Sequence, residues 1–568
     1  MKKIFPIILL VILISSFTSD SFKSYPQDYF RSPVSYPLRL SGTFGELRPN
    51  HLHAGIDIKP PSKSTGDPIY AVADGYVSRI KVSPRGYGNC LYIDHPNGYT
   101  SVYAHLQKFT DSVATYIKEQ QYNNQSFEQE LFPERDKFSF KKGELIGKLG
   151  LSGRSYGAHL HFEMRDTKTE KAINPLLFGL KVTDNLPPKL HQLKLYKLDP
   201  EYKTLGTHKY NLLKGKSNYY IKGDTLVIGA WRVGLAVKAF DHMNYVSNWN
   251  GPYSVELVVD DQPVYGFKME TFAFSETRYL NAHLDYEEQV TKKSYFHRCF
   301  KMPGNQLSIY EQAINDGVIP LAIGQAKKIE IISKDVAGNT ATLKFFLRRG
   351  IVKPIADTKV YNYTVPYNSP SAILGDGADF FFKEGTFYEN AFLHYHVSQE
   401  LAPNIHSAIH SIGEKTIPIH KHYEIRITPT DLPPELREKA VIAVCENQNL
   451  MSSLGGTWED DELVAKARKM GDFCITTDLV KPTITPLNVK SWMGKGFKIS
   501  FRIKDDFSGI KSYKATVDDE WVLMEYDEKN NLLFHRFDGK FAKGKHNFVL
   551  TVTDNRNNVS TYSKAFSN

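Results

Sequence analysis

Apolar and polar residues alternate in short runs through most of this chain. Between residues 24 and 179 the clearest runs are Ile69–Ala73, Tyr76–Ile80, Cys90–Asp94 and Thr100–His105. Period-two alternation puts every second side chain on one face of a strand. Turn pairs such as Asp74-Gly75 and Asn97-Gly98 separate the runs. The pattern predicts a compact antiparallel β domain. One polar stretch rich in Gln and Glu, about 107–141, breaks it and reads as an insertion containing a short helix.

Asn185-Leu-Pro-Pro188 marks a boundary, and strands are expected again beyond it. The segment Ser254–Val264, centred on Asp260-Asp261, is echoed by Ser512–Val522, centred on Asp518-Asp519. Each is followed by an Asp/Asn turn, Asp335–Asn339 and Asp554–Asn558, and each follows a proline boundary, Pro188 or Pro482. Such units of short strands predict immunoglobulin-like β-sandwiches over 181–350 and 481–568. Residues 351–480 read as a further β-rich domain, whose one helical signal is Asp460–Arg468. The fold class expected is mainly β, with a compact antiparallel domain at 20–180 followed by several sandwiches.

The N-terminus departs from this texture. Lys2 and Lys3 precede an apolar run, Ile4–Phe17, that is short for a membrane span. It reads as a secretory signal peptide over 1–19, with an uncleaved anchor as the alternative. Export to a periplasm or cell envelope, or secretion, is therefore expected, with no membrane span after cleavage. The net charge of +9 is spread over 568 residues. Nucleic-acid binding is not expected, because that footprint concentrates on one face or helix. The four cysteines form no Cys-x-x-Cys pair, which argues against a structural zinc knuckle. A Cys445–Cys474 disulfide and free thiols both remain open.

Two motifs carry chemistry, His53-Ala-Gly-Ile-Asp57 and His159-Leu-His161-Phe-Glu163, with Tyr103-Ala-His105-Leu106 between them. On a strand, His159 and His161 share one face while Leu160 and Phe162 face the core. His53 and Asp57 would stand about 13 Å apart on an extended chain, so the backbone must bend, and Gly55 permits that. Two imidazoles and one carboxylate leave a coordination position open, as in catalytic rather than structural zinc sites. Donor type alone leaves nickel and iron open. His51-Leu-His53 is a second His-x-His that reads as a solvated neighbour.

The ordered series Phe44-Gly45…His53-x-Gly55-x-Asp57, Tyr103-Ala-His105-Leu106, Gly157-Ala-His159-Leu-His161-Phe-Glu163 and Asn174-Pro175 resembles the lysostaphin/LytM-type zinc endopeptidases over residues 38–180. The resemblance implies a duplicated-hybrid-motif-like β domain, Zn2+ held by His53, Asp57 and His161, and catalytic roles for His105 and His159. It implies hydrolysis of peptidoglycan peptide stems, at D-Ala–diaminopimelate or Gly–Gly bonds. Glu163 is expected behind a ligand rather than on the metal. Arg48 reads as a surface ion pair and Tyr103 as core, with substrate binding as the alternative for both. Two departures stand out. The family has a short connection where this chain inserts 107–141, which reads as a lid, a substrate selector, an autoinhibitory plug or a plain surface excursion. The turn Arg154–Ala158 lacks the usual Pro. Competing functions are a non-catalytic regulator of wall hydrolases and a surface adhesion or scaffold protein, with cell-envelope protein partners bound through the tail.

Overall fold

The computed structural model describes residues 25–352, 360–399, 404–446, 449–488, 498–536 and 544–567. The expected signal segment, 1–19, and the alternative of an uncleaved anchor lie outside them. Among the described residues no helix is long and apolar enough to cross a membrane.

The N-terminal domain is built on one antiparallel sheet. Its strands run in the order Leu40–Gly42, Ile56–Ile58, Leu160–Asp166, Tyr99–Ala104, Cys90–Asp94, Gly75–Val82 and Gln129–Leu131. Inward positions such as Ile56, Ile58, Val77, Ile93, Leu160 and Phe162 form its core. Tyr103 belongs to that core, where its hydroxyl accepts from the Val72 amide at 3.0 Å, so it is not a surface substrate contact.

Within 107–141 the helix spans Asp111–Asn123 and buries Val113 and Ile117. The strand Gln129–Leu131 then adds to the sheet edge at Gly75–Val82. The outer face of this insertion meets the C-terminal sandwich. Phe127 packs against both cores, and Tyr122 stands edge-on to Trp521 with ring centroids 5.3 Å apart.

Residues 189–349 form two sheets packed face to face, one around Lys189–Leu198 and Arg232–Phe240, the other around Ser254–Val259, Ala326–Lys334 and Thr340–Arg349. The C-terminal part has two four-stranded sheets. The echoed segments are matching hairpins: Asp260 and Asp261 (φ 51° and 66°), like Asp518 and Asp519 (φ 49° and 68°), turn the chain with both residues left-handed. That conformation suits right-twisted two-residue hairpins. The Asn339 amide donates to Asp335 Oδ1 at 2.8 Å, and Asn558 donates to Asp554 at the same distance.

The stretch between contains two five-stranded sheets. Here the helical expectation for Asp460–Arg468 fails. Glu462–Ala467 is a strand that pairs with Thr457–Glu459 and with Tyr423–Ile427. Asp460 (φ 50°) opens the hairpin turn, and Leu463 and Ala465 fill the sandwich core. Cross-strand pairing overrides the helix propensity of that run. Cys445 and Cys474 meet there as free thiols, with Sγ atoms 2.8 Å apart.

The domains touch in a closed circuit. Ala172–Ile173 of the first domain pairs with Thr271–Phe272 of the first sandwich. The Tyr388 hydroxyl donates to the Arg278 carbonyl at 2.8 Å, joining the first sandwich to the middle unit. Lys439 Nζ donates to Asn558 Oδ1 at 2.8 Å, joining the middle unit to the last. Lys529 of the last sandwich donates to the Leu151 and Gly153 carbonyls, which closes the circuit on the first domain.

An edge-on aromatic pair is worth about 0.5–1.5 kcal/mol. Trp521→Ala should therefore raise amide exchange across Asp111–Asn123 by up to about tenfold without unfolding either domain. Unchanged exchange would show that the contact does not hold the helix.

Candidate functional site

The site is set by strand register. Leu160–Asp166 lies between two antiparallel partners, so that His161 stands opposite Asp57 on one side and Ala104 on the other. His105 follows Ala104 directly and leaves the sheet with φ 61°, its amide donating to the Tyr87 carbonyl at 2.9 Å. His159, two residues before His161, faces the same way, and its ring centroid is 4.9 Å from that of His105. The chain bends at Gly55 between His53 and Asp57. Gly55 is needed there for close approach, since an added Cβ would lie 2.3 Å from the Phe162 carbonyl oxygen.

Three ligand-type atoms converge. His53 Nε2 is 3.0 Å from both Asp57 Oδ1 and His161 Nδ1, and His161 Nδ1 is 2.9 Å from Asp57 Oδ1. All three residues are buried. The outward nitrogens are already committed. His53 Nδ1–H donates to the Thr43 carbonyl at 2.8 Å, and His161 Nε2–H donates to Glu163 Oε1 at 2.8 Å. A carbonyl and a carboxylate can only accept, so the inward nitrogens present lone pairs. Two lone pairs and a carboxylate facing one another at 3 Å repel unless positive charge sits among them. The donor set therefore fits a metal ion, and these three residues are the ones that could hold it.

Without a metal, the same demand for positive charge falls on a proton at His161. Burial disfavours the Asp57 carboxylate, but His53 and His161 outweigh it and hold the group well below the usual range. Burial also opposes charge on His161, yet Asp57 and Glu163 push its imidazole up to about 9. Glu163 is fully buried, and the Arg165 guanidinium and His161 overcome that burial to bring it down to about 2. Arg165 grips the second Glu163 oxygen at 2.6 Å. Tyr87, to which sequence reasoning assigned no role, stacks on His161 with centroids 5.2 Å apart and bonds to Glu163. Alternation alone could not find it, because it lies in a loop.

The other two histidines stand beside the converging three, His105 with its ring centroid 5.9 Å from that of His161. His105 Nδ1–H donates to the Ser152 carbonyl at 2.9 Å, and burial with the neighbouring His159 holds its pKa down to about 3. His159 Nδ1–H donates to the Gly157 carbonyl at 2.8 Å, while its Nε2 stands 3.5 Å from Asp57 Oδ1. Burial, the leading cause, lowers its pKa as well. Among the described residues neither Nε2 makes a hydrogen bond, although that of His159 lies close to Asp57. Arg48 makes an ion pair with Asp57 Oδ2 and Glu46, each at 3.3 Å. His51 is exposed and stands apart.

An antiparallel β domain in which two histidines and one carboxylate converge beside two further histidines is the architecture of a metal-dependent hydrolase. Residues 51–122, within the N-terminal domain, match Peptidase family M23. Residues 362–478 match the Zu5-like domain. The DD-carboxypeptidase/endopeptidase Mpg of Neisseria meningitidis serogroup B is 34% identical over 153 residues, covering 26% of this chain and 28% of that protein. The peptidoglycan DD-endopeptidase ShyC of Vibrio cholerae is 30% identical over 144 residues, covering 25% and 26%. The chain thus spans little more than a quarter of either relative. The catalytic domain of the antimicrobial peptidase lysostaphin from Staphylococcus simulans is 21% identical, covering 25% of this chain and 91% of that one, with a TM-score of 0.18.

Groups that orient a metal-binding histidine typically carry 10- to 100-fold in metal affinity. Glu163→Gln should therefore weaken divalent-metal binding by about that factor, measured by competition with a chromophoric chelator. Wild-type affinity in the variant would reduce Glu163 to a folding role.

Proposed function

We propose that this chain is an exported zinc endopeptidase that hydrolyses the peptide cross-links of peptidoglycan. The observation that carries the reading is the convergence of His53 Nε2, Asp57 Oδ1 and His161 Nδ1 as three mutually facing acceptors within 3.0 Å. These three would hold Zn2+ and leave one side open. Zinc bound there supplies Lewis acidity, which makes a water more acidic and polarises the scissile carbonyl.

The chain's own groups do the rest. His105 and His159 are the catalytic residues in this reading. Each has its Nδ1–H tied to a backbone carbonyl, so each Nε2 can take a proton from the attacking water. Once protonated, the same ring can donate to the oxygen that gains charge or to the leaving amine. Glu163 and Thr43 hold the two liganding rings in the tautomer the site requires.

Peptidoglycan stems are the substrate class supported by the curated relatives, one named a DD-carboxypeptidase/endopeptidase and the other a peptidoglycan DD-endopeptidase. D-Ala–diaminopimelate is the bond we favour, with Gly–Gly second. The short apolar N-terminus supports export to the periplasm or cell envelope. The sandwiches resemble immunoglobulin-like modules and would present the peptidase domain to the wall or to envelope proteins.

Incubation with intact sacculi, with and without a zinc chelator, tests the activity. Chelator-sensitive conversion of cross-linked dimers to monomers, identified by mass spectrometry, is expected. Zinc bound without conversion would overturn the substrate assignment. His161→Ala should lose zinc and turnover together, and full zinc occupancy in that variant would refute its role as ligand. His105→Ala should keep zinc and lose turnover by about 10²–10⁴-fold. Wild-type turnover would demote His105 to a structural group.

A further inference from the structure

The two sandwiches that frame the middle unit share more than their hairpins. Each gathers three aspartates from three separate segments: the entering linker, the end of a central strand, and the Asp/Asn turn. In the first they are Asp184, Asp241 and Asp335, and in the second Asp478, Asp505 and Asp554. Within each set the carboxylate oxygens lie within 4.8 Å of one another. The supporting bonds repeat as well. The Leu186 amide donates to Asp184 at 3.1 Å and the Val480 amide to Asp478 at 3.2 Å.

The sets differ in how their charge is met. In the second, Asp505 Oδ1 caps its own loop, accepting from Phe507 and Gly509. Arg556 stands close enough for both Asp478 and Asp554 to act on its guanidinium. The position of Arg556 in the repeated turn is held by Ala337 in the first sandwich. Among the described residues no lysine or arginine pairs with Asp184, Asp241 or Asp335.

Asp241 is only 2% exposed, and its Oδ1 has no hydrogen-bond partner among the described residues. Asn250, 1% exposed, is in the same condition at both Oδ1 and Nδ2. The two residues face each other as an antiparallel pair, exchanging N–H···O bonds of 2.9 Å in both directions. Directly paired residues project from the same face, which puts the Asn250 side chain on the same side of the backbone pair as that of Asp241. Asp335 accepts from Asn339 and Asp184 from Leu186, but no cation meets the charge of the set, which makes its burial costly. Burial, Asp184 and Asp335 together push the Asp241 carboxyl up to about 8.

We propose that Asp184, Asp241 and Asp335, with the Asn250 carboxamide, form a divalent cation site of the calcium class at the junction of the M23 domain and the first sandwich. The donors are all oxygen, which selects a hard ion over zinc. The three aspartates line a cavity of about 510 Å3 whose other wall includes Thr43, Phe44 and Asn174 of the M23 domain. Thr43 is also the residue whose carbonyl holds His53. A cation there ties the linker, a central strand and the Asp335 turn together beside the metal pocket. The site is independent of the peptidase reading, since none of its residues belongs to that pocket.

Equilibrium dialysis of the zinc-loaded full chain against Ca2+ at about 0.1–1 mM, the range of extracellular calcium modules, tests this. One equivalent of bound Ca2+ and a calcium-dependent rise of several degrees in unfolding temperature are expected. Asp241→Asn should lose both, yet unfold at or above the wild-type temperature without calcium, because a buried like charge is gone. Asn250→Ala keeps every charge and should weaken calcium binding about tenfold. Asp505→Asn should leave the stoichiometry unchanged. No bound calcium in the wild type would overturn the proposal. So would full binding in Asp241→Asn, as would Mg2+ displacing Ca2+ at equal concentration.

Discussion

The candidate metal pocket depends on the register in which Leu160–Asp166 lies between Ile56–Ile58 and Tyr99–Ala104. Direct pairing of His161 with Asp57 and with Ala104 brings residues from three distant segments to one point. A slip of one residue would send His161 into the core and Phe162 to the metal side. Burial of Leu160 and Phe162 at 0% exposure penalises that slip heavily. The apolar pattern and the metal geometry are therefore one constraint. The same register aims His161 Nε2 at Glu163, two residues along the same strand, and so sets the tautomer as well as the position.

This explains why so much of the site was legible in the sequence. His159-Leu-His161-Phe-Glu163 states the alternation outright, and His53-x-Gly55-x-Asp57 marks the bend that brings the second pair in. The reason for Gly55 was not legible. The bend was foreseen, but the close approach of the Phe162 carbonyl belongs to tertiary packing. Tyr87 and the Thr43 and Ser152 carbonyls were hidden for the same reason, since loop residues and main-chain acceptors leave no periodic mark. The strand at Glu462–Ala467 shows the opposite failure. Its Asp460-Asp461 turn is again a two-residue hairpin loop, with Asp460 left-handed like Asp260 and Asp518, but it precedes residues with high helix propensity. Turn chemistry was the better guide there.

The 107–141 insertion illustrates how context changes a reading. From the sequence it could lie over the groove or away from it. In the fold its helix buries Val113 and Ile117 in the M23 domain, while Tyr122 and Phe127 meet the C-terminal sandwich. Its described contacts run to the far end of the chain rather than across the metal pocket. An amphipathic element with apolar groups on both sides acts as a bridge, and this one joins segments some 400 residues apart in sequence.

That bridge bears on how the tail can serve the pocket. Lys529 donates to the Leu151 and Gly153 carbonyls, and Arg85 pairs with Glu528. Loops 85–88 and 151–154 are packed backbone to backbone, for a Cβ on Gly153 would lie 2.4 Å from the Gly88 amide nitrogen. Ser152, between the two carbonyls that Lys529 holds, itself fixes His105. The C-terminal sandwich therefore reaches a catalytic-candidate histidine through one loop, and the first sandwich meets the opposite edge through Ala172–Ile173. A flexible tether would transmit nothing to the pocket. A closed circuit of packed domains holds both flanks of it, Lys529 on the loop that fixes His105 and Thr271–Phe272 on Ala172–Ile173.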